Sequence, residues 1–475
     1  MNLDRSALAT PTLELANWIA NLEIDQLPAR TREVVRFAIL DTIGTGIYGY
    51  CTPWAQMVLA WVKRGNATGE ARVWGEAQPT LRTADAALVN GTAAHACEFD
   101  DTHYARLHGG AAVIPAAIAV AERLNCSGSE LITAIAAGYE VMIRSSLALN
   151  PQATRLRGWH ITGVCGTFGA AAACASLLKL DPEQTAWALG LAGTQSAGLW
   201  AFNAEGTMSK RLHPGKAAHS GVLAAELAQL GFSGPTQIYE TTDGGVLRAF
   251  SDDSDPAPLT KDLGRVYHLD KNSVKPYSSC GATHAYIDAA LDLRRKLGAP
   301  WDEHRRVRAG VSKMTAMQCG ADYVPGSSLN AQMSVRYTIA AALVDGEVLP
   351  VQFADDKLSF PTLVGLASRI ELIPDPELDK YYPRNFAGWV AVEHDGKWMR
   401  VDILNATGSE DKPIDAAGVT EKFCSLNPEY PGDKICASAL GIEQYSIRDF
   451  MALVRPHAVG NRQTEKFAST VAGVT

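Results

Sequence analysis

The chain has 475 residues, 47% of them hydrophobic and 20% charged, with a net charge of -8. That length supports two or three cores at roughly 150 residues each. The acidic balance excludes a general attraction to nucleic acid or anionic membrane, while a local cationic cluster would still accept a small anion. Nine cysteines, none in a C-x-x-C pair, speak against a disulfide framework, a zinc finger or an iron-sulfur cluster and for a reducing compartment. The N-terminal stretch has neither the apolar core of a secretory signal nor the Arg-rich pattern of a transit peptide. No uninterrupted apolar run reaches the ~20 residues that span a bilayer, so a cytoplasmic protein is expected.

Leu13, Leu15, Trp18, Ile19 and Leu22 fall mostly at helical spacing, and Pro28 opens a second helical stretch through Val34, Val35, Phe37, Ile39 and Leu40. Asp41, inside that run, reads as a capping or core-satisfied carboxylate. Gly44, Gly46 and Gly49 match G-x-G-x-x-G, but they follow a helix rather than a strand, so close helix packing is their expected use. Stretches 83–96 and 109–124 are dense in Ala, Val and Gly. Small residues let helix backbones approach, which predicts two buried helices with the polar loop 98–108 at one end of a helical core.

A third small-residue run, 163–178, follows Gly158-Trp159-His160, and an apolar stretch covers 186–202. The composition then changes to Lys210-Arg211-Leu212-His213-Pro214-Gly215-Lys216, expected as a structured loop before a helix over 217–230 that stops at Gly231. Near residue 268 the texture shifts. Partial alternation over 307–317 is weakly strand-like, 389–403 reads as a hairpin around His394-Asp395-Gly396-Lys397, and helices are expected over 285–297 and 334–343. This predicts a helical domain over 1–269, an α+β domain over 270–405, and helices over 406–475 that pack back on the first domain, with the last dozen residues disordered.

Of eleven histidines, seven fall in four short polar stretches: His95, His103 and His108; His160; His213 and His219; and His284. Lys210, Arg211 and Lys275 lie in or beside them. Titratable groups between apolar helices must be hydrogen-bonded or functional to be tolerated there. The loop 98–108 adds Glu98, Asp100, Asp101 and Thr102, and carboxylates beside imidazoles shift one another's pKa toward acid-base use. His108 precedes Gly-Gly, where a ligand can approach the backbone. His160 opens a helix whose N-terminal N-H groups suit a carboxylate, and His213 fits a structural role equally well. Cys280 and His284 are four apart, a weak thiol-nucleophile pattern. His103 and His108 lack the H-x-x-x-H or H-E-x-x-H spacing of a metal helix, and no P-loop occurs. The residues therefore point to acid-base chemistry on a polycarboxylate without metal or cofactor, Lys210 and imidazoles neutralising the substrate.

The motifs N-G-T-A-A-H-A-C-E-F-D-D-T-H at 90–103, L-H-G-G-A-A-V-I-P-A at 107–116, G-W-H at 158–160, G-T-M-S-K-R-L-H-P-G at 206–215, K-P-Y-S-S-C-G-A-T-H-A-Y-I-D-A-A at 275–290 and S-V-R-Y at 334–337 resemble, in order, those of the MmgE/PrpD family. That family includes 2-methylcitrate dehydratase, cis-aconitate decarboxylase and iminodisuccinate epimerase. The resemblance implies a mainly α fold with an α+β lid: a large all-helical domain formed by both chain ends plus a smaller inserted α+β domain. It further implies a homodimer and a metal-free, cofactor-free site in the cleft between the domains. Carried over by position, His108, His160, Lys210 and His284 would be catalytic and Glu98 and Thr102 would bind substrate. Glu98 departs from the family's usual D-x-D-D by one methylene. The implied activity is a lyase, dehydratase or decarboxylase, acting on a citrate- or aconitate-like acid. An epimerase of an iminodisuccinate-type dicarboxylate is the alternative, and a metal-dependent hydrolase the second.

Overall fold

Close backbone approach organises the helical part. In the computed structural model, which describes residues 10–455 except 66, 67, 77, 80, 299, 300 and 303, helices Thr83–Ala94, Gly110–Leu124, Gly128–Leu149, Ile161–Leu177 and Ser209–Gln229 pack on one another and are buried on nearly every face. Glycines sit at their crossings. A Cβ on Gly138 would meet the Gly169 carbonyl oxygen at 2.7 Å, and one on Gly169 would meet that of Gly138 at the same distance. The G-x-G-x-x-G stretch lies inside helix Ala29–Tyr50, where Gly46 abuts Trp74 and Gly49 abuts the Ala93 carbonyl, so these glycines serve helix packing.

Helix Gly128–Leu149 is long and apolar enough to cross a membrane by length and composition, although Glu130, Glu140 and Arg144 interrupt it, and 94% of its most apolar window is buried within the protein. Glu140 and Arg144 pair inside the core at 3.0 Å, and Arg144 donates to the carbonyls of Pro258, Lys261 and Val266. That anchors the segment leading to the second domain. Helices Ala416–Leu426, Gly432–Leu440 and Ile447–Leu453 return to this first core through Phe423, Ile435, Phe450 and Met451. The expected disordered end lies outside the described residues.

A second core gathers residues 282–392 around a four-stranded sheet. Its strands are β1 (Val307–Val311), β2 (Glu371–Pro374), β3 (Gly388–His394) and β4 (Lys397–Ile403), in the order β2-β1-β3-β4. β1 runs parallel to β2 and antiparallel to β3, and helices His284–Leu297 and Val335–Val344 contribute to the same core. The β3-β4 turn has Asp395 at φ 49° and Gly396 at φ 74°, the left-handed pair that matches the strands' twist and that Asp-Gly accepts at low cost. The fold is thus mainly helical with a smaller α+β part.

Two local expectations change. The 210–216 stretch is helix rather than loop, because Ser209–Gln229 begins before it. Pro214 forfeits a single N-H bond within a turn whose Lys210 and Arg211 are anchored by buried contacts. The strand within 307–317 stops at Val311, since the Ser312 hydroxyl accepts from Thr315 N at 3.2 Å and starts helix Lys313–Cys319. The 186–202 stretch divides, with helix Pro182–Gly193 ending before a bend that leads to the short helix Phe202–Glu205. Strand β2, at the sheet edge and partly exposed, carries no alternation that would have announced it.

Candidate active site

The loop between Thr83–Ala94 and Gly110–Leu124 holds two non-glycine residues in the left-handed region, Glu98 at φ 53° and Arg106 at φ 64°. That conformation costs an L-residue roughly 1–2 kcal/mol and persists only where surroundings enforce it. The enforcement is visible around Glu98. Four consecutive carbonyls accept from side chains remote in sequence: Ala96 from Arg211 Nε at 2.8 Å, Cys97 from Gln332 Nε2 at 2.8 Å and Ser278 Oγ, Glu98 from Lys275 Nζ at 3.1 Å, and Phe99 from Lys422 Nζ at 2.6 Å. Lys422 also reaches Asp41 Oδ1 at 2.6 Å, so Asp41 is an ion-paired core carboxylate whose Oδ2 is left without a hydrogen-bond partner.

Thus held, the fully buried Glu98 carboxylate pairs directly with Lys210 Nζ, and Lys275 Nζ lies 3.8 Å from its other oxygen. Burial alone would raise its pKa, but the charges of Lys210, His95 and Lys275 outweigh burial and hold it well below the usual carboxylate range. Behind it His95 Nδ1 donates to Asp100 Oδ2 at 2.7 Å, its Nε2 lying 3.5 Å from Glu98 Oε1. Against the cost of burial, His95 and His108 keep Asp100 low. Asp101 behaves oppositely. Burial, then the adjacent Asp100 charge, raise it to about 7 despite hydrogen bonds from Tyr139 and Gly110.

His108 Nδ1 donates to the Asp101 carbonyl at 2.7 Å. A carbonyl only accepts, so Nδ1 carries the proton and Nε2 keeps a lone pair in the neutral ring. Burial, then Lys275, lower its pKa to about 3. His160 begins the Ile161–Leu177 helix. Its amide donates to Gly198 O at 2.9 Å and its Nδ1 meets His213 Nδ1 at 2.9 Å, giving His213 a positioning role. Burial, then His213, hold His160 well below the usual imidazole range. His103 is structural: its Nδ1 accepts from Ala105 N at 3.1 Å, so Nε2 donates to His268 O at 2.9 Å.

Thr102, His108, His160 and Lys210 line one cavity, together with Arg106, Arg155, Trp200, Cys280 and residues 382 and 386 of the second domain. Glu98 stands behind Lys210. His284, at the start of His284–Leu297, opens instead on an adjoining cavity that it lines with Lys275 and that shares Thr102, Arg106, Gly281 and Phe386 with the first. Its Nε2 donates to Ser279 O at 3.3 Å, and burial followed by Lys275 lowers it to about 3. Cys280 faces the first cavity, its thiol held below the usual range by its buried pairing with Cys319. Of the residues that the structure adds to the site, His95, Arg106 and Lys275 stand in polar stretches that the sequence flags, whereas Arg155 carries no signal.

His95, Glu98 and His108 place potential ligand atoms within 4.8 Å of one another. This donor set would suit a zinc-type ion. The Glu98 oxygens, however, already hold Lys210 and face Lys275, so a dication there would meet two ammonium groups and would have to displace the Lys210 pair. The residues do not fit a resident metal well.

Comparison with known proteins identifies what this arrangement belongs to. Residues 13–259 match the MmgE/PrpD N-terminal domain and residues 277–438 the MmgE/PrpD C-terminal domain. The cis-aconitate decarboxylase of Aspergillus terreus is 31% identical over 445 residues, covering 89% of this chain and 90% of that protein. The cis-aconitate decarboxylase of Homo sapiens is 31% identical over 381 residues, 78% of each chain, and a cis-aconitate decarboxylase-like protein of Aspergillus oryzae is 30% identical over 438 residues, 87% of this chain and 90% of the other. The class so defined is a lyase. The chain belongs to the MmgE/PrpD family.

Proposed function

We propose that this protein is a metal-independent decarboxylase of a cis-aconitate-like unsaturated tricarboxylate, working by proton transfer next to a carboxylate. One observation carries the reading: His108, with its Nε2 lone pair fixed by the Asp101 carbonyl, shares a cavity with His160 and with Lys210, whose ammonium is held by Glu98. In such a substrate one carboxylate is allylic to the double bond. The bond joining it to carbon breaks, that electron pair becomes the new double bond, and the old double bond takes a proton at its far carbon as carbon dioxide leaves.

His108 is the proton donor. Its pKa of about 3 makes it neutral before substrate binds. Carboxylates arriving in a low-dielectric site stabilise the imidazolium, so proton uptake accompanies binding and the acid is made where it is needed. Lys210 orients a carboxylate, and His160 is the second acid-base group. The names of the relatives favour decarboxylation over dehydration or epimerisation.

The test incubates metal-stripped protein with cis-aconitate in deuterated water and follows proton NMR. A vinylidene product carrying one deuterium on its methylene is expected, and it should vanish with His108→Ala. Turnover of 2-methylcitrate, or deuterium exchange into iminodisuccinate, in place of that product would replace the reading with a dehydratase or an epimerase.

A further inference from the structure

Among the described residues lining the His108 cavity, five are cationic or imidazole, namely Arg106, His108, Arg155, His160 and Lys210, and none is a carboxylate. Lys210 is neutralised by Glu98 behind it. The two arginines are held differently. The Arg106 guanidinium stacks on the Phe386 ring at 3.9 Å and on Tyr382 at 4.6 Å, and it donates to the Pro383 carbonyl. The Arg155 guanidinium stacks on Trp200 at 3.9 Å. Stacking fixes each planar fork without consuming its in-plane donors.

Three buried nitrogens on these walls have no hydrogen-bond partner: Arg106 Nε, Arg155 Nε and Trp200 Nε1. All three are donors. A buried donor without an acceptor is destabilising, and three on residues that line one cavity call for an anionic, oxygen-rich ligand to satisfy them. Burial lowers both guanidinium pKa values to about 10, consistent with cations that lack a carboxylate partner.

We infer that Arg106 and Arg155 form a two-guanidinium clamp that selects ligands bearing carboxylates at two ends, leaving the third carboxylate of a tricarboxylate toward Lys210 and His108. Arg106 comes from the site loop and rests on the second domain; Arg155 comes from the short helix Pro151–Leu156 of the first. The inference rests on the proposed function for its choice of tricarboxylate.

The experiment measures binding to the full-length protein by calorimetry, with saturated ligands that cannot react: propane-1,2,3-tricarboxylate, glutarate and butyrate, which share a carbon chain and differ in carboxylates. Losing a hydrogen bond to a charged group weakens binding by about tenfold or more. Arg155→Met and Arg106→Met should each raise the Kd for the tricarboxylate and for glutarate by that factor, leave butyrate within about threefold, and be partly rescued by Arg→Lys. Arg155→Met preserves the Arg106 contact with the second domain and decides the matter where Arg106→Met does not fold. Wild-type affinity for the tricarboxylate in Arg155→Met, equal losses for all three ligands, or no binding to the wild type would overturn the clamp. Binding that needs both arginines, without product from cis-aconitate, would sustain the clamp and overturn the decarboxylase.

Discussion

Replacing Lys210 by methionine keeps the volume of its stem and removes its charge, leaving Glu98 buried beside Lys275. At the 3.8 Å separation of Lys275 Nζ from Glu98 Oε2, an effective dielectric of ~20 gives an attraction of about 4 kcal/mol. Lys275 and His95 then remain to oppose the cost of burying Glu98, and the variant carries a buried carboxylate that has lost its direct partner. Removing one partner of a buried pair costs roughly 3–5 kcal/mol. The double variant Lys210→Met/Glu98→Gln removes both charges and should be more stable than Lys210→Met alone, with a coupling of about 1–3 kcal/mol. Urea unfolding midpoints of wild type, both single variants and the double variant measure that term, and turnover should be lost in every variant. Losses that add to within about 0.5 kcal/mol would show that Glu98 and Lys210 do not hold each other and would refute the account of the loop.

Acid should weaken the fold through its buried imidazoles. His103, His108 and His284 are each lowered to about 3 by burial first, so their contribution is complete above the unfolded pKa near 6.5. It is lost as pH falls toward 3, at roughly 1.4 kcal/mol per pH unit for each histidine. Urea midpoints at pH 7 and pH 5 read this, and an unchanged midpoint would contradict it. Gly215→Ala should destabilise by about 1–3 kcal/mol and lower turnover, because its Cβ would lie 2.4 Å from the Leu88 carbonyl and push apart the helices carrying Lys210 and the site loop; a wild-type melting temperature with full activity would count against that packing. Dialysis against a chelator should leave turnover unchanged, and loss restored by one divalent cation would return His95, Glu98 and His108 to a metal-binding role. Proton uptake on binding of propane-1,2,3-tricarboxylate, read as a buffer-dependent calorimetric enthalpy, is expected in wild type and reduced in His108→Ala.

Short-range pattern in the sequence makes much of this protein legible. Small residues at helical spacing mark the buried helices, Asp395-Gly396 marks the hairpin, and the polar islands between apolar runs flag seven histidines with Lys210, Lys275 and the loop 98–108, because burial of such groups demands a reason that is visible in composition alone. The family resemblance narrows these to His108, His160, Lys210 and His284 with Glu98 and Thr102. What composition cannot contain is which remote donors meet the carbonyls of residues 96–99. Arg211, Ser278, Lys275, Gln332 and Lys422 come from widely separated parts of the chain, and only tertiary packing brings them to one loop. The same holds for the tautomer of His108, decided by the Asp101 carbonyl, and for the separation of His284 into the adjoining cavity. It holds above all for Arg155, which no pattern in the sequence marks, and for the state of the Arg106 donors within their flagged loop, because aromatic rings from other segments stack on both guanidinium faces while each Nε is left without a partner.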